Sequence, residues 1–212
     1  MTTYLESSND GFIEYISGSY ASTYAYQSVG GNSCIIARYT GEIYAGLYYQ
    51  DRAYKRFLLG FGAGDTIEAA TLYWHLNSVP QNDGQKSCNL EQVNDYETLG
   101  SADWAITVKH DYGAVMTYNE AAGWKSQDVT AEIEAVKTDA YTAFRWRILT
   151  QPAAGKYQTF AISAYERTAY KAYLAITLTT GWAHARTGVA NANIGSITGT
   201  AKASISNITG VS

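Results

Sequence analysis

The chain has 212 residues, with 15 Lys plus Arg against 19 Asp plus Glu, a formal net charge of -4, and 46% hydrophobic residues. This balance excludes a disordered chain, and the absence of any basic run argues against a nucleic-acid partner. The length allows one large domain plus an appendage, and 19 Tyr and 19 Gly against 2 Pro favour strands punctuated by turns.

From Thr3 to Tyr15 the pattern predicts two short extended segments around an Asn9-Asp10-Gly11 turn. Ser19 to Gln27 alternates Tyr20, Tyr24 and Tyr26 with small polar residues, and Gly30-Gly31-Asn32 breaks the chain. Cys34 to Tyr39 reads as a strand, Thr40-Gly41-Glu42 as a turn, and Ile43 to Gln50 as a further strand. In Tyr54 to Phe61 the residues Phe57, Leu59 and Phe61 share a face. Thr66 to Val79 is a long strand with Ala70, Leu72, Trp74 and Leu76 on one side. Residues 80–89 read as a polar loop, and strands are expected near Leu90–Tyr96, Ile106–Lys109 and Ala114–Asn119.

One helix is expected, Thr130 to Lys137, capped by Thr130, with Glu132 and Glu134 early and Lys137 late. Val129, Ile133 and Val136 form its apolar stripe. Thr142 to Thr150 turns Phe144, Trp146 and Ile148 inward and Arg145 and Arg147 outward. Tyr157 to Glu166 presents Phe160, Ile162 and Ala164, and Tyr170 to Thr179 presents Ala172, Leu174, Ile176 and Leu178. Many short alternating strands, regular turns and one short helix predict an all-β fold, an antiparallel jelly-roll-like β-sandwich spanning residues 1–181.

Residues 182–212 are a linker and a repeat. Thr187-Gly188-Val189 recurs as Thr198-Gly199-Thr200 and as Thr209-Gly210-Val211, at an interval of eleven residues each time. Ala190, Ala192 and Ile194 answer Ala201, Ala203 and Ile205, and Ile197 and Ile208 precede their Thr-Gly pairs. Gly, Thr, Asn and Ser are poor helix formers, so extended backbone fits better, with turns at Gly195-Ser196 and Ser206-Asn207. So few repeats bury little alone. The tail is therefore expected to order against copies of itself or another protein; the alternative is a flexible, low-complexity terminus.

The order of motifs carries a resemblance. Arg56-Phe57-Leu58-Leu59-Gly60-Phe61 precedes Ile67-Glu68-Ala69-Ala70-Thr71-Leu72; later come Asp128-Val129-Thr130, Phe144-Arg145-Trp146-Arg147-Ile148 and Tyr173-Leu174-Ala175-Ile176-Thr177. Over residues 10–179 this resembles the DNRLRE family of β-sandwich domains, which are similar to carbohydrate-binding modules. The tail unit from Ile197 to Ile205 is similar to carboxy-terminal repeats of tailed-bacteriophage structural proteins, although Thr stands at 198 and 209 where such repeats often show Asn. The resemblance implies a virion component.

No catalytic constellation emerges from the pattern. His75 sits on a strand opposite Trp74, and His110-Asp111 are adjacent on a strand and point apart. Glu132 and Glu134 lie about 200° apart on a helix and cannot flank one bond. The glycines of Gly60 to Gly64 precede no helix, so they form no phosphate loop. Spacing gives no transition-metal site, and Cys34 and Cys88, which could pair, read as free, mostly buried thiols. Asn82-Asp83 and Asn94-Asp95 could contribute to a Ca²⁺ site, with ordinary turns as the alternative.

A binding surface is the better expectation. Arg145, Arg147, Tyr165, Lys171 and Tyr173 are expected on the outer sheet face, where aromatic and basic groups can stack on and hydrogen-bond sugars. An ordinary solvated face or an oligomer contact is the alternative, and Tyr-dense residues 20–26 and 44–49 invite the same readings. Neither a secretory signal nor a membrane span is visible. The expectation is a non-catalytic virion protein made in the host cytoplasm, a homo-oligomer and by analogy a trimer, contacting other virion proteins and a host-surface glycan. The alternative is a carbohydrate-binding module of a cell-surface adhesin.

Overall fold

The first strand links the two layers of the fold. In the computed structural model, which describes residues 2–17, 22–27, 34–42, 47–82, 85–164 and 169–179 together with 196–197 and 200–201, β1 (Thr2–Ile16) runs through the expected Asn9-Asp10-Gly11 turn as one strand. A bulge between Ser7 and Asn9 absorbs the irregularity and bends the strand from one partner to another. Asp10 is consumed by an ion pair rather than a turn: Lys55 Nζ donates to it at 2.6 Å, and both side chains are fully buried.

The remaining elements follow in order. They are β2 (Ser22–Gln27), β3 (Cys34–Thr40), β4 (Tyr49–Leu58), β5 (Thr66–Ser78), β6 (Gln81–Asn82) and β7 (Cys88–Val93). After a 3-10 turn at Ser101–Ala105 come β8 (Val108–Met116), β9 (Gly123–Asp128), α1 (Thr130–Val136), β10 (Tyr141–Arg147), β11 (Tyr157–Ser163) and β12 (Tyr173–Thr179). A separate ladder joins β13 (Ser196–Ile197) to β14 (Thr200–Ala201). Within 80–89 the expected loop holds β6 and the start of β7, and β9 is a strand that the pattern does not mark.

Among the described residues every pairing is antiparallel, and the path β2-β1-β12-β5-β11-β3-β4-β10-β7-β8 closes where β1 also pairs with β4. The fold is an all-β, jelly-roll-like sandwich. One layer is the start of β1 with β12, β5 and β9; the other is the rest of β1 with β2, β4, β10, β7 and β8. Between them lie Phe57, Leu72, Trp74, Phe144, Trp146, Phe160, Leu174 and Ile176, all buried. Trp74 meets Trp146 edge-on at 5.6 Å across the layers, and Phe57 meets Phe144 at 5.9 Å.

The helix closes one side. Val129, Ile133 and Val136 are buried as the stripe requires, but the cap is not Thr130. Val129 occupies the N-cap position without a side-chain bond, and Asp128 just before it accepts at Oδ1 from Thr130 N at 2.9 Å and from Thr130 Oγ1 at 2.6 Å. These bonds hold the Asp128 carboxyl below its usual value. Thr130 Oγ1 instead accepts from Ala70 N on β5, and Val129 N donates to the Ala70 carbonyl at 2.9 Å.

A second apolar layer lies outside β4 and β10. Ile13, Tyr54, Val93, Tyr96, Leu99 and Ala143 pack there, with Trp104, Ile106 and Val108 against them. Residues 94–107 thus cover the outer face of this sheet, so β4 and β10 are buried on both faces. Arg145, expected outward, is 1% exposed.

Candidate functional site

The outer face of the other layer carries an aromatic array. On β5 the alternation that sends Leu72 and Trp74 into the core sends Tyr73 and His75 outward. Register then places Tyr173 opposite Tyr73, Glu6 opposite Tyr173, and Trp124 opposite His75. The rings touch. Tyr73 and Tyr173 stack at 4.8 Å, Tyr4 meets Tyr173 at 5.8 Å, and Trp124 meets Tyr173 at 5.6 Å. His75 contacts Tyr170 at 4.2 Å and Trp124 at 5.5 Å.

Several of these rings face solvent: Tyr4 is 67% exposed, Trp124 44% and Tyr170 37%. With Glu6, Ala169, Lys171 and Tyr173, two of them line a shallow depression of ≈ 270 Å³. Lys171 Nζ donates to Glu6 Oε2 at 2.8 Å. Burial, then the neighbouring Tyr73 and Tyr4, raises the Tyr173 phenol above its ordinary value, so it is neutral and able to donate at physiological pH. The His75 ring is fixed from behind, with Nδ1 3.0 Å from Asn77 Oδ1 and 3.3 Å from Ser163 Oγ. Fixed rings with exposed faces can stack on flat apolar surfaces, and the Glu6–Lys171 pair can bond hydroxyl groups.

Of the residues expected to form a glycan-facing surface, Lys171 and Tyr173 lie on this array. Arg145 and Arg147 do not. They lie on the covered sheet and share Glu91, Arg145 through Oε2 and Arg147 through Oε1. Tyr165 lies outside the described residues, as do Thr187, Gly188, Val189, Ile194, Thr198, Gly199, Ile205, Ile208, Thr209, Gly210 and Val211. Ile197 is in β13, and Ser196, expected in a turn, pairs with Ala201.

Trp104, in the second apolar layer, stacks on Tyr15 at 5.2 Å and lies 3.5 Å from the Arg52 guanidinium. These contacts tie it to the fold rather than to the array. The residues missed on the array are Tyr4, Glu6, Tyr73, Trp124 and Tyr170. Trp124 is the sole large apolar residue of Gly123–Asp128, so no alternation betrays that strand; a Trp amid polar residues is the available signal.

A second groove, of ≈ 530 Å³, runs beside α1 and is lined by His110, Tyr112, Asp128, Glu132 and Glu134 among others. His110 Nδ1 lies 3.4 Å from Glu132 Oε1, while Asp111 turns to Gly113 N. Glu134 is held below its usual value by Lys137 and by Ile67 N, and Asp128 accepts from Thr130 N. Of the Ca²⁺ candidates, Asp95 is taken by Arg56 in two bonds of 2.6 and 2.8 Å, and Asp83 lies outside the described residues. Among the described residues no three His, Cys, Asp or Glu side chains gather to hold a metal. Cys88 is buried and unpaired, and burial pushes its thiol far up; the Cys34 side chain lies outside the described residues. No family model matches the chain, and no curated protein matches it.

Proposed function

We propose that this chain is a non-catalytic structural protein of a tailed-bacteriophage virion, a surface decoration or a head- or tail-fibre component. Its sandwich is displayed and contacts saccharide on the host surface through the aromatic array, while the repeat tail joins copies of the chain or attaches them to other virion proteins. The array carries the sugar-contacting part: rings packed against one another, half-open to solvent, beside a hydrogen-bonding ion pair. Aromatic side chains supply an apolar face together with a polar rim, which suits a ligand that is itself C–H on one face and hydroxyl at its edge. The similarity of the unit from Ile197 to Ile205 to carboxy-terminal repeats of virion proteins supports the assembly part.

A second reading, a carbohydrate-binding module of a cell-surface adhesin, uses the same array and draws on the resemblance of residues 10–179 to DNRLRE domains. Two measurements separate them. A glycan array run with the full chain is expected to show saturable binding that Trp124→Ala and Tyr173→Ala each weaken at least tenfold. Light scattering is expected to give a trimer for the full chain and a monomer for residues 1–181. Saturable glycan binding by a monomeric full chain favours the adhesin module. A blank glycan array removes the sugar-contacting role from both readings.

A further inference from the structure

The array has a direction and a charge. Tyr4 comes from β1 and Trp124 from β9, on opposite sides of β12, so the two exposed rings bracket Tyr173. Their ring centroids lie 5.8 and 5.6 Å from that of Tyr173, a row of three rings across the strands. Around that row, among the described residues, the charged side chains lining the depression are Glu6 and Lys171. They cancel in net charge but not in presentation, since the Glu6 side chain is 61% exposed and that of Lys171 21%. Glu6 is thus the more solvent-open partner of the pair.

Resting on the saccharide reading above, we infer that the ligand class is a neutral oligosaccharide engaging at least two pyranose rings, and that acidic sugars are rejected. One ring lies on Trp124 and the next on Tyr4, with Tyr173 filling the interval. Hydroxyls on the sugar edge donate to the Glu6 carboxylate, which accepts through two oxygens. A uronate or sialate carboxylate would instead sit beside Glu6, and among the described residues lining the depression the cation is Lys171, already bonded to Glu6. That like-charge contact is a repulsive element acting against one ligand class. Equatorially hydroxylated pyranoses fit best, because their ring faces expose C–H bonds to the aromatic planes.

The test uses the full chain on an array of neutral and acidic glycans, followed by calorimetry with cellotetraose, galactotetraose, their monosaccharides and tetragalacturonate. Neutral tetrasaccharide is expected to bind at least tenfold more tightly than its monosaccharide, with no measurable binding of tetragalacturonate. Glu6→Gln, at an exposed position that leaves the fold intact, is expected to weaken neutral binding several-fold and to admit tetragalacturonate. Binding confined to acidic glycans overturns the inference while leaving a saccharide-binding face. Monosaccharide bound as tightly as tetrasaccharide overturns the two-ring arrangement. A blank array in both classes removes the saccharide reading itself, and the inference with it.

Discussion

Replacing Glu91 with Gln tests the covered arginine layer directly. Glu91 is 1% exposed and is the carboxylate bonded to both Arg145 and Arg147. Arg145 donates to it from Nε at 2.8 Å and from Nη2 at 2.5 Å, and Arg147 donates from Nε at 2.8 Å. Arg52 lies close enough that burial, with Arg145 next, lowers its guanidinium to about 10. Without the carboxylate the layer holds buried, uncompensated positive charge. Breaking one side of such a pair costs about 3–5 kcal/mol. For a domain with m of about 2–3 kcal/mol/M in urea, the unfolding midpoint is expected to fall by roughly 1–2 M. Arg145→Met should cost less than Glu91→Gln, because Glu91 keeps Arg147. Urea unfolding followed by Trp fluorescence reads both. A Glu91→Gln loss under about 0.5 kcal/mol, typical of a surface position, refutes the layer as described.

Two further outcomes follow from single contacts. Burial, with Glu14 adding to it and Arg38 opposing, pushes the Asp51 carboxyl up to about 7 from an ordinary 3.8. The folded state therefore binds this proton more tightly than the unfolded chain, so stability is highest below the ordinary value, falls as pH rises through the interval to about 7, and stays low above it. Asp51→Asn is expected to flatten this slope and raise the urea midpoint at pH 8; parallel midpoint-against-pH curves for parent and variant would contradict it. Gly41 packs so closely on Ala153 that a methyl group there would overlap the Ala153 carbonyl oxygen, which is backbone and cannot swing aside. Gly41→Ala is expected to cost about 1–3 kcal/mol, read as a lowered unfolding midpoint, and an unchanged midpoint would show that the 153 segment yields freely.

Alternation on Thr66–Ser78 and Tyr141–Arg147 was legible because each places one continuous apolar face against the core; Trp74, Phe144 and Trp146 are buried as the period of two requires. The α1 stripe was legible for the same reason. The bulged course of β1 was not, since Asn9-Asp10-Gly11 has turn chemistry locally and is kept in the sheet by Lys55, forty-five residues away from Asp10. The polarity of Arg145 pointed to solvent, but residues 94–107 and Glu91 make its position interior.

The amino-acid order by itself determined the class of fold, the inward face of most strands, the helix, and two members of the array, Lys171 and Tyr173. These follow from short-range periodicity, which each segment carries internally. Tertiary structure decided which strands became neighbours, and with that the gathering of Tyr4, Tyr73, Trp124 and Tyr173 from β1, β5, β9 and β12. Register between strands distant in the chain depends on turns, bulges and buried ion pairs acting together, so the array has no signature in any one stretch of sequence.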